Sequence, residues 1–119
     1  MSTDRIMIVD DNPTNLMVLE EIVHLCGFTN TISECDPKAA LDILSSLSCH
    51  TLLLDQNMPH YTGIEFYQHL KRNDALPERV FMISALDDPE LRNQALGIGF
   101  DGFLPKPYRF ADIKALLSN

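Results

Sequence analysis

The sequence is short of basic residues and has no long hydrophobic run. Nine lysines and arginines stand against seventeen aspartates and glutamates, which gives a net charge of −8. Such a charge repels nucleic acid phosphates and anionic lipids, so direct binding to either is disfavoured. No stretch approaches the roughly 20 apolar residues that a membrane span needs. We therefore expect a soluble protein that binds neither nucleic acid nor a membrane directly.

Cysteines are also few, and their spacing excludes two kinds of site. The chain contains three, with no Cys-x-x-Cys pair: Cys26, Cys35 and Cys49. This pattern argues against a disulfide framework and against a zinc site, and it fits a reducing compartment. The first residues lack the basic segment and the long apolar run of a signal peptide. We expect a cytoplasmic protein.

The length of 119 residues is that of one domain of ordinary size. Hydrophobic residues make up 45% and charged residues 22% of the chain, close to the average for globular domains. Neither an internal repeat nor a linker interrupts the sequence. We expect a single domain that covers residues 1–119.

Short aliphatic runs alternate with longer segments of helical spacing, which is typical of parallel strands joined by crossover helices. The predicted strands cover residues 5–9, 28–33, 51–54, 80–83 and 100–104. Three helices are predicted to start at a capping residue followed by proline, at Asn12-Pro13, Asp36-Pro37 and Asp88-Pro89. In the second helix the apolar positions are Ala40, Leu41, Leu44 and Leu47. The pattern predicts an α/β fold with a five-stranded, doubly wound sheet.

Polar residues follow four of the predicted strands. They are Asp10, Asp11, Asp55, Ser84 and Lys106. Because the carboxyl ends of parallel strands meet at one edge of a sheet, we expect these side chains to converge there. Clustered carboxylates repel each other unless a cation neutralises them, and an oxygen-rich cluster suits Mg²⁺. The sequence therefore predicts a magnesium site beside a lysine that can handle phosphate.

These residues occur in four short motifs. They are Val9-Asp10-Asp11, Leu54-Asp55-Gln56-Asn57-Met58-Pro59 followed by Gly63, Ile83-Ser84-Ala85, and Leu104-Pro105-Lys106-Pro107. In this order and spacing, the chain resembles the receiver domain of bacterial two-component response regulators over residues 5–117. The resemblance implies the flavodoxin-like strand order 2-1-3-4-5, with helices on both faces of the sheet. It also implies a phosphorylation switch that catalyses its own modification and does not turn over an external substrate.

The resemblance assigns a role to each acidic residue of the cluster. Asp55 is expected to be the phosphoacceptor, which takes a phosphoryl group from a histidine of a kinase and becomes an aspartyl phosphate. Asp11, Asp55 and the backbone carbonyl of Asn57 are expected to bind Mg²⁺ directly. Asp10 is expected to act through a coordinated water, which suits the hydrated octahedral geometry of the ion.

The resemblance also names residues that bind the phosphate and respond to it. Lys106 is expected to stabilise charge on the phosphoryl oxygens during transfer. Ser84 is expected to donate a hydrogen bond to the phosphoryl group once Asp55 carries it. Phe103 occupies the position of the switch aromatic residue that moves with that serine. A buried phenylalanine without a switching role remains the alternative, since phenylalanine lacks a hydroxyl group.

The expected partners follow from the same resemblance. A sensor histidine kinase or a histidine phosphotransfer protein is expected to dock beside Asp55, through a surface at the start of the first helix: Asn12, Pro13, Asn15 and Leu16. The output domain or protein is unknown. A homodimer formed by the fourth helix, the fifth strand and the fifth helix is an open alternative to a monomer.

Two other functions are compatible with the predicted fold. A phosphate-independent interaction domain would keep the fold but need none of the site residues. An aspartate-based phosphohydrolase is disfavoured because Asn57 stands where such enzymes carry a second aspartate. The sequence also contains a literal GxGxxG at residues 97–102. That motif precedes a strand here, whereas a dinucleotide site requires it to follow one, so we expect the glycines to end a helix.

Two residues depart from the commonest receiver pattern. Leu86 lies where many receivers carry a polar side chain near the path of attacking water, and an apolar residue there is expected to slow loss of the phosphate. Phe100 replaces a small alanine, so the loop that enters the fifth strand must find room for a ring.

Overall fold

A computed structural model describes residues 4–58, 60–85 and 88–118. These residues form five strands and five helices in strict alternation. The strands are β1 (Ile6–Val9), β2 (Thr31–Glu34), β3 (Thr51–Asp55), β4 (Arg79–Ser84) and β5 (Gly102–Pro105). The helices are α1 (Pro13–Leu25), α2 (Pro37–Ser46), α3 (Gly63–Arg72), α4 (Pro89–Ile98) and α5 (Phe110–Ser118).

The five strands form one parallel sheet in the order β2-β1-β3-β4-β5. Side chains on β1, which lies between β2 and β3, alternate between two apolar clusters, one on each face of the sheet. Met7 and Val9 belong to the cluster beneath α2, α3 and α4, whereas Ile6 and Ile8 belong to the cluster beneath α1 and α5. The predicted doubly wound α/β fold with this strand order is confirmed.

The helix starts follow the predicted capping chemistry. Asn12, Asp36 and Asp88 each accept a hydrogen bond from a backbone N–H in the first turn of α1, α2 and α4. Such bonds satisfy amides that have no partner within the helix. Gly99 ends α4 with a φ of +126°. The GxGxxG segment therefore closes a helix and leads into β5, as predicted.

The predicted start of the second strand at residue 28 was wrong, because β2 starts at Thr31 and residues 28–30 connect the end of α1 to it. Phe28 N–H donates to the Val23 carbonyl at 3.2 Å, and Gly27 turns the chain with a φ of +98°. The Phe28 ring packs against the cluster beneath α1 and α5. Pairing with β1 starts at the Asn30 carbonyl, which accepts from Ile6 N–H at 2.9 Å.

Two further predictions needed correction. Residue 100 was assigned to the fifth strand, but Phe100 N–H donates to the Ala95 carbonyl of α4, and β5 starts at Gly102. Leu47 was placed on the apolar face of the second helix, but it caps the end of α2 in an extended conformation and is 40% exposed. At both places a residue just after the helix donates its backbone N–H to a carbonyl of the last helical turn, and this bond keeps it out of the predicted element.

Candidate functional site

Three carboxylates meet where β1 and β3 end. Asp10 follows the last residue of β1, Asp11 is next in the chain, and Asp55 is the last residue of β3. One carboxylate oxygen from each lies within 4.8 Å of the other two. Asp10 and Asp55 are buried and Asp11 is partly exposed. The structure thus brings together the three acidic residues that the sequence singled out.

Lys106 joins this cluster from the adjacent end of β5. Its Nζ atom lies 3.3 Å from Asp55 Oδ1 and 3.4 Å from Asp10 Oδ2. The Lys106 backbone N–H donates to the Ser84 carbonyl at 2.7 Å, and the peptide bond between Lys106 and Pro107 is cis. One ammonium group therefore bridges two buried carboxylates from neighbouring strands.

The surroundings of Asp55 disfavour the ionised form of its carboxylate. Burial, followed by the negative charge of Asp10, raises the pKa of Asp55 from 3.8 to about 6. The Lys106 ammonium opposes both causes and favours the ionised carboxylate of Asp55. Asp10 also accepts a hydrogen bond from Asn12 N–H at 2.9 Å, which fixes one of its oxygens. The single positive charge of Lys106 does not balance the three carboxylates, so a further cation would stabilise their ionised forms.

Ser84 and Asn57 border the cluster in different ways. Ser84 is the last residue of β4 and is fully buried. Its neighbour in the strand, Ile83, pairs with Asp55. Asn57 has an exposed side chain and pairs with Thr62 in an isolated antiparallel bridge. This bridge closes the loop that follows Asp55.

Phe103 lies on β5, which β4 separates from the strand of Asp55. It pairs with Met82 in the sheet, and its ring packs against the apolar cluster beneath α4. The Arg92 guanidinium of α4 lies 5.3 Å from the centre of that ring, within the range of a cation–π interaction. The structure therefore places Phe103 in contact with α4.

The donor set fits a magnesium ion. The ion binds oxygen ligands at about 2.1 Å in octahedral geometry, so opposite ligands lie about 4.2 Å apart and adjacent ligands about 3 Å apart. One carboxylate oxygen from each aspartate lies within 4.8 Å of the other two, a range that includes both spacings. Their residues supply three negative charges against the single positive charge of Lys106, which favours a divalent cation.

Sequence reasoning missed Tyr108. Its phenol has a pKa raised to about 12 by burial and by the charges of Asp10 and Asp55. Burial and the two negative charges therefore both disfavour the phenolate form of Tyr108. The one sequence signal that Tyr108 lies near the cluster was its position two residues after Lys106.

A surface groove of about 400 Å³ lies beside Lys106, between α1 and the segment that follows β5. It is lined by Asn15, Val18, Ile22, Lys106, Pro107 and Tyr108. Near it, α1 exposes Met17 and Val18, which are 66% and 48% accessible. Asn12 and Pro13 are exposed as predicted, but Asn15 and Leu16 are partly buried. The predicted exposure of Asn15 and Leu16 was therefore wrong, since Leu16 packs against the cluster beneath α1 and α5.

Some expectations concern parts of the chain that the structure does not describe. Pro59 and Leu86 lie outside the described residues, so the expected effect of Leu86 on phosphate loss stays a prediction. Among the residues that are described, no helix is both long and apolar enough to cross a membrane.

Comparisons with known proteins identify the family. The chain matches the family model of the response regulator receiver domain over residues 6–118. It is 34% identical to RcaC of Microchaete diplosiphon over 92% of this chain and 17% of that protein. It is 31% identical to the chemotaxis protein CheY of Pseudomonas aeruginosa over 87% of this chain and 85% of that protein.

A solved structure agrees with this result. The signal receiver domain of the response regulator NarL from Mycobacterium tuberculosis superposes with a TM-score of 0.85 and 32% identity, over 99% of this chain and 96% of that chain. The chain spans a small part of RcaC and most of CheY. Receiver domains of this family are signalling domains that partner with histidine kinases and output domains. The chain belongs to the response regulator receiver domain family of two-component systems.

Proposed function

We propose that this receiver domain is switched by phosphorylation of Asp55. The observation that carries the proposal is the bridge from Lys106 Nζ to Asp55 Oδ1 and Asp10 Oδ2, at 3.3 and 3.4 Å. A lysine in this position can stabilise the negative charge that spreads over the phosphoryl oxygens during transfer. Asp55 offers the carboxylate that becomes the acceptor.

The transfer step is a substitution at phosphorus. A carboxylate oxygen of Asp55 attacks the phosphorus of a phosphohistidine, a phosphorus–oxygen bond forms, and the phosphorus–nitrogen bond to the imidazole breaks. The imidazole leaves with the bonding electron pair and takes up a proton. Loss of the phosphate is a second substitution at phosphorus: water attacks and gives up a proton, the phosphorus–oxygen bond to Asp55 breaks, and the carboxylate leaves with the bonding electron pair. The domain thus promotes its own modification and acts on no separate substrate.

We assign the metal ligands to Asp11, Asp55 and the backbone carbonyl of Asn57, with Asp10 acting through a coordinated water. Bound Mg²⁺ would offset the charge of the carboxylates and of the incoming phosphate. Asp10 keeps one oxygen on Asn12 N–H, which holds its other oxygen toward Lys106. Asp11 is the more accessible of the two aspartates after β1 and is free to face a hydrated ion.

The response to phosphorylation is assigned to Ser84 and Phe103. A phosphoryl group on Asp55 offers the Ser84 hydroxyl a charge-assisted hydrogen bond, which biases an equilibrium between two conformations. Movement at the end of β4 is passed to Phe103 on the neighbouring strand. The Arg92 guanidinium over the Phe103 ring links that movement to α4.

The phosphodonor is a sensor histidine kinase or a histidine phosphotransfer protein. We place its docking surface on the first half of α1, beside the groove that reaches Lys106. Exposed Met17 and Val18 offer an apolar contact, and Val18 lines the same groove as Lys106. The output partner stays unnamed, and we expect a cytoplasmic location and no direct contact with nucleic acid, in keeping with the net charge of −8.

The test is the intact mass of the protein after incubation with acetyl phosphate, with and without Mg²⁺. We expect one phosphoryl adduct that requires Mg²⁺. Asp55→Asn is expected to remove the adduct, Asp11→Asn to slow its formation and weaken its Mg²⁺ dependence, and Lys106→Ala to slow formation while the fold is kept. No adduct on wild-type protein, together with no binding of beryllofluoride, would instead support the phosphate-independent interaction domain.

A further inference from the structure

Gln56, directly after the proposed acceptor, uses three of its polar groups to tie neighbouring elements together. Its N–H donates to the Ile83 carbonyl of β4 at 3.0 Å, and its own carbonyl accepts from Gly63 N–H at 2.9 Å. Its side-chain Oε1 accepts from Ile64 N–H at 3.1 Å. One residue therefore connects the end of β3 both to β4 and to the start of α3.

The start of α3 has no spare donor in its first turn. The Gly63 and Ile64 N–H groups bind Gln56, and Glu65 N–H donates to Thr62 Oγ1 at 3.1 Å. The Glu65 carboxylate in turn accepts from Thr62 N–H at 2.9 Å. A capping residue from within the helix start is common, but here a side chain eight positions before Ile64 supplies one of the bonds.

Close packing supports the same contact. A Cβ atom on Gly63 would lie 2.9 Å from Gln56 Oε1 and 3.0 Å from the backbone carbonyl of Asp55. Real Cβ atoms rarely approach that closely, so glycine lets α3 start directly against the acceptor's own backbone. The side chain of Gln56 fills the remaining space and meets the first amides of the helix.

We infer that Gln56 is a positioning residue for the metal site, an inference that rests on the function proposed above. The next residue, Asn57, is assigned the backbone carbonyl ligand. Within the described residues, Asn57 is steadied by its bridge to Thr62, at the base of the turn that Gln56 anchors. Mg²⁺ tolerates little departure from octahedral geometry, so release of that anchor displaces a ligand and weakens metal binding.

If Gln56 only caps α3, replacing it changes the stability of the domain and leaves the affinity for Mg²⁺ unchanged. Gln56→Met separates the two roles, because methionine has a similar size and lacks the oxygen acceptor. Gln56→Glu keeps an acceptor for Ile64 N–H. Gln68→Met is the matched control, since Gln68 is exposed on α3. Gly63→Ala disturbs the same contact from the helix side and serves as a second test variant.

The experiment titrates MgCl₂ into the unphosphorylated chain by calorimetry, with thermal unfolding and amide hydrogen exchange measured for each variant. Outer partners of metal ligands typically change affinity 10-fold to 100-fold, so we expect Gln56→Met to raise the Mg²⁺ dissociation constant about 10-fold. Gly63→Ala is expected to raise it as well. Gln56→Glu and Gln68→Met are expected to bind Mg²⁺ at least as tightly as wild type.

The outcomes distinguish this inference from the function on which it rests. If Gln56→Met exchanges its Ile64 amide hydrogen faster but binds Mg²⁺ as wild type does, Gln56 is a helix cap alone and the inference is wrong. If the wild-type chain itself binds no Mg²⁺, the proposed metal site is wrong and takes the inference with it. Weaker binding by Gln56→Met and Gly63→Ala, with both variants folded, supports the inference.

Discussion

The ring of Tyr67 stacks on the ring of Phe100, with centroids 4.5 Å apart and planes inclined by 28°. Tyr67 belongs to α3, whereas Phe100 lies between α4 and β5. Both side chains are buried. The Phe100 ring is thus accommodated by stacking on Tyr67, and the stack connects α3 to the segment that leads to Lys106.

Replacing Phe100 by alanine is expected to leave a cavity and lower the free energy of unfolding by about 3–5 kcal/mol. Urea denaturation measures the change. The control is Phe110→Ala, because Phe110 is 43% exposed and its truncation is expected to cost about 1 kcal/mol or less. Equal losses at the two positions would show that the stack contributes nothing beyond an ordinary surface contact.

Gly99→Ala is expected to destabilise the domain for two separable reasons. Gly99 has a φ of +126°, and a Cβ atom there would collide with the Tyr67 hydroxyl. The backbone strain costs about 1–3 kcal/mol by itself. In a Tyr67→Phe background the collision is relieved, so the two substitutions are expected to couple by about 1 kcal/mol. Strictly additive losses in a double-mutant cycle would contradict the contact.

The raised pKa of Asp55 predicts a pH dependence of stability in metal-free protein. The folded pKa of about 6 exceeds the ordinary value of 3.8, so the protonated form is the one that folding favours. The stabilisation is complete below pH 3.8 and is lost as the pH rises through about 6.

Asp55→Asn removes this loss, so the variant is expected to be more stable than wild type near neutral pH, by on the order of 1–2 kcal/mol. Urea denaturation with a chelator, at about pH 4 and about pH 7, measures the difference. A wild-type protein whose advantage over Asp55→Asn grows with pH would have the sign reversed and contradict the assignment.

Phe103→Ala is expected to leave phosphorylation by acetyl phosphate close to the wild-type rate, because Phe103 lies away from the carboxylates. The variant is expected to lose the change in amide hydrogen exchange that phosphorylation causes in α4, since the Arg92 contact is gone. Its unfolding free energy must be measured alongside, because a cavity can cost about 3–5 kcal/mol. An unchanged exchange response in α4 would leave Phe103 a packing residue alone.

The alternation of strands and helices and the residues at the strand ends could be predicted from the sequence. Period and capping are local signals: Asn12, Asp36 and Asp88 each precede a proline and cap a helix. Asp55 and Lys106 could be paired in advance because parallel strands end at the same edge of a sheet.

Contacts set by the tertiary structure could not be predicted in this way. Phe28 and Phe100 each follow a turn at glycine and complete the end of a helix, although their composition suits a strand. The bond from Ile64 N–H to Gln56 Oε1 depends on how α3 meets β3. The field that acts on Tyr108 depends on how closely β1, β3 and the segment after β5 approach. None of these contacts produces a periodic pattern in the sequence from which it could be predicted.

The central claim is that the phosphoryl group forms on Asp55, and borohydride reduction tests it most directly. Borohydride converts an aspartyl phosphate to homoserine, so peptide mass spectrometry of the reduced protein marks the acceptor. After treatment with acetyl phosphate and Mg²⁺, we predict homoserine at position 55 and unmodified aspartate at positions 10 and 11. Homoserine at Asp10 or Asp11, or at none of the three positions, would contradict the assignment.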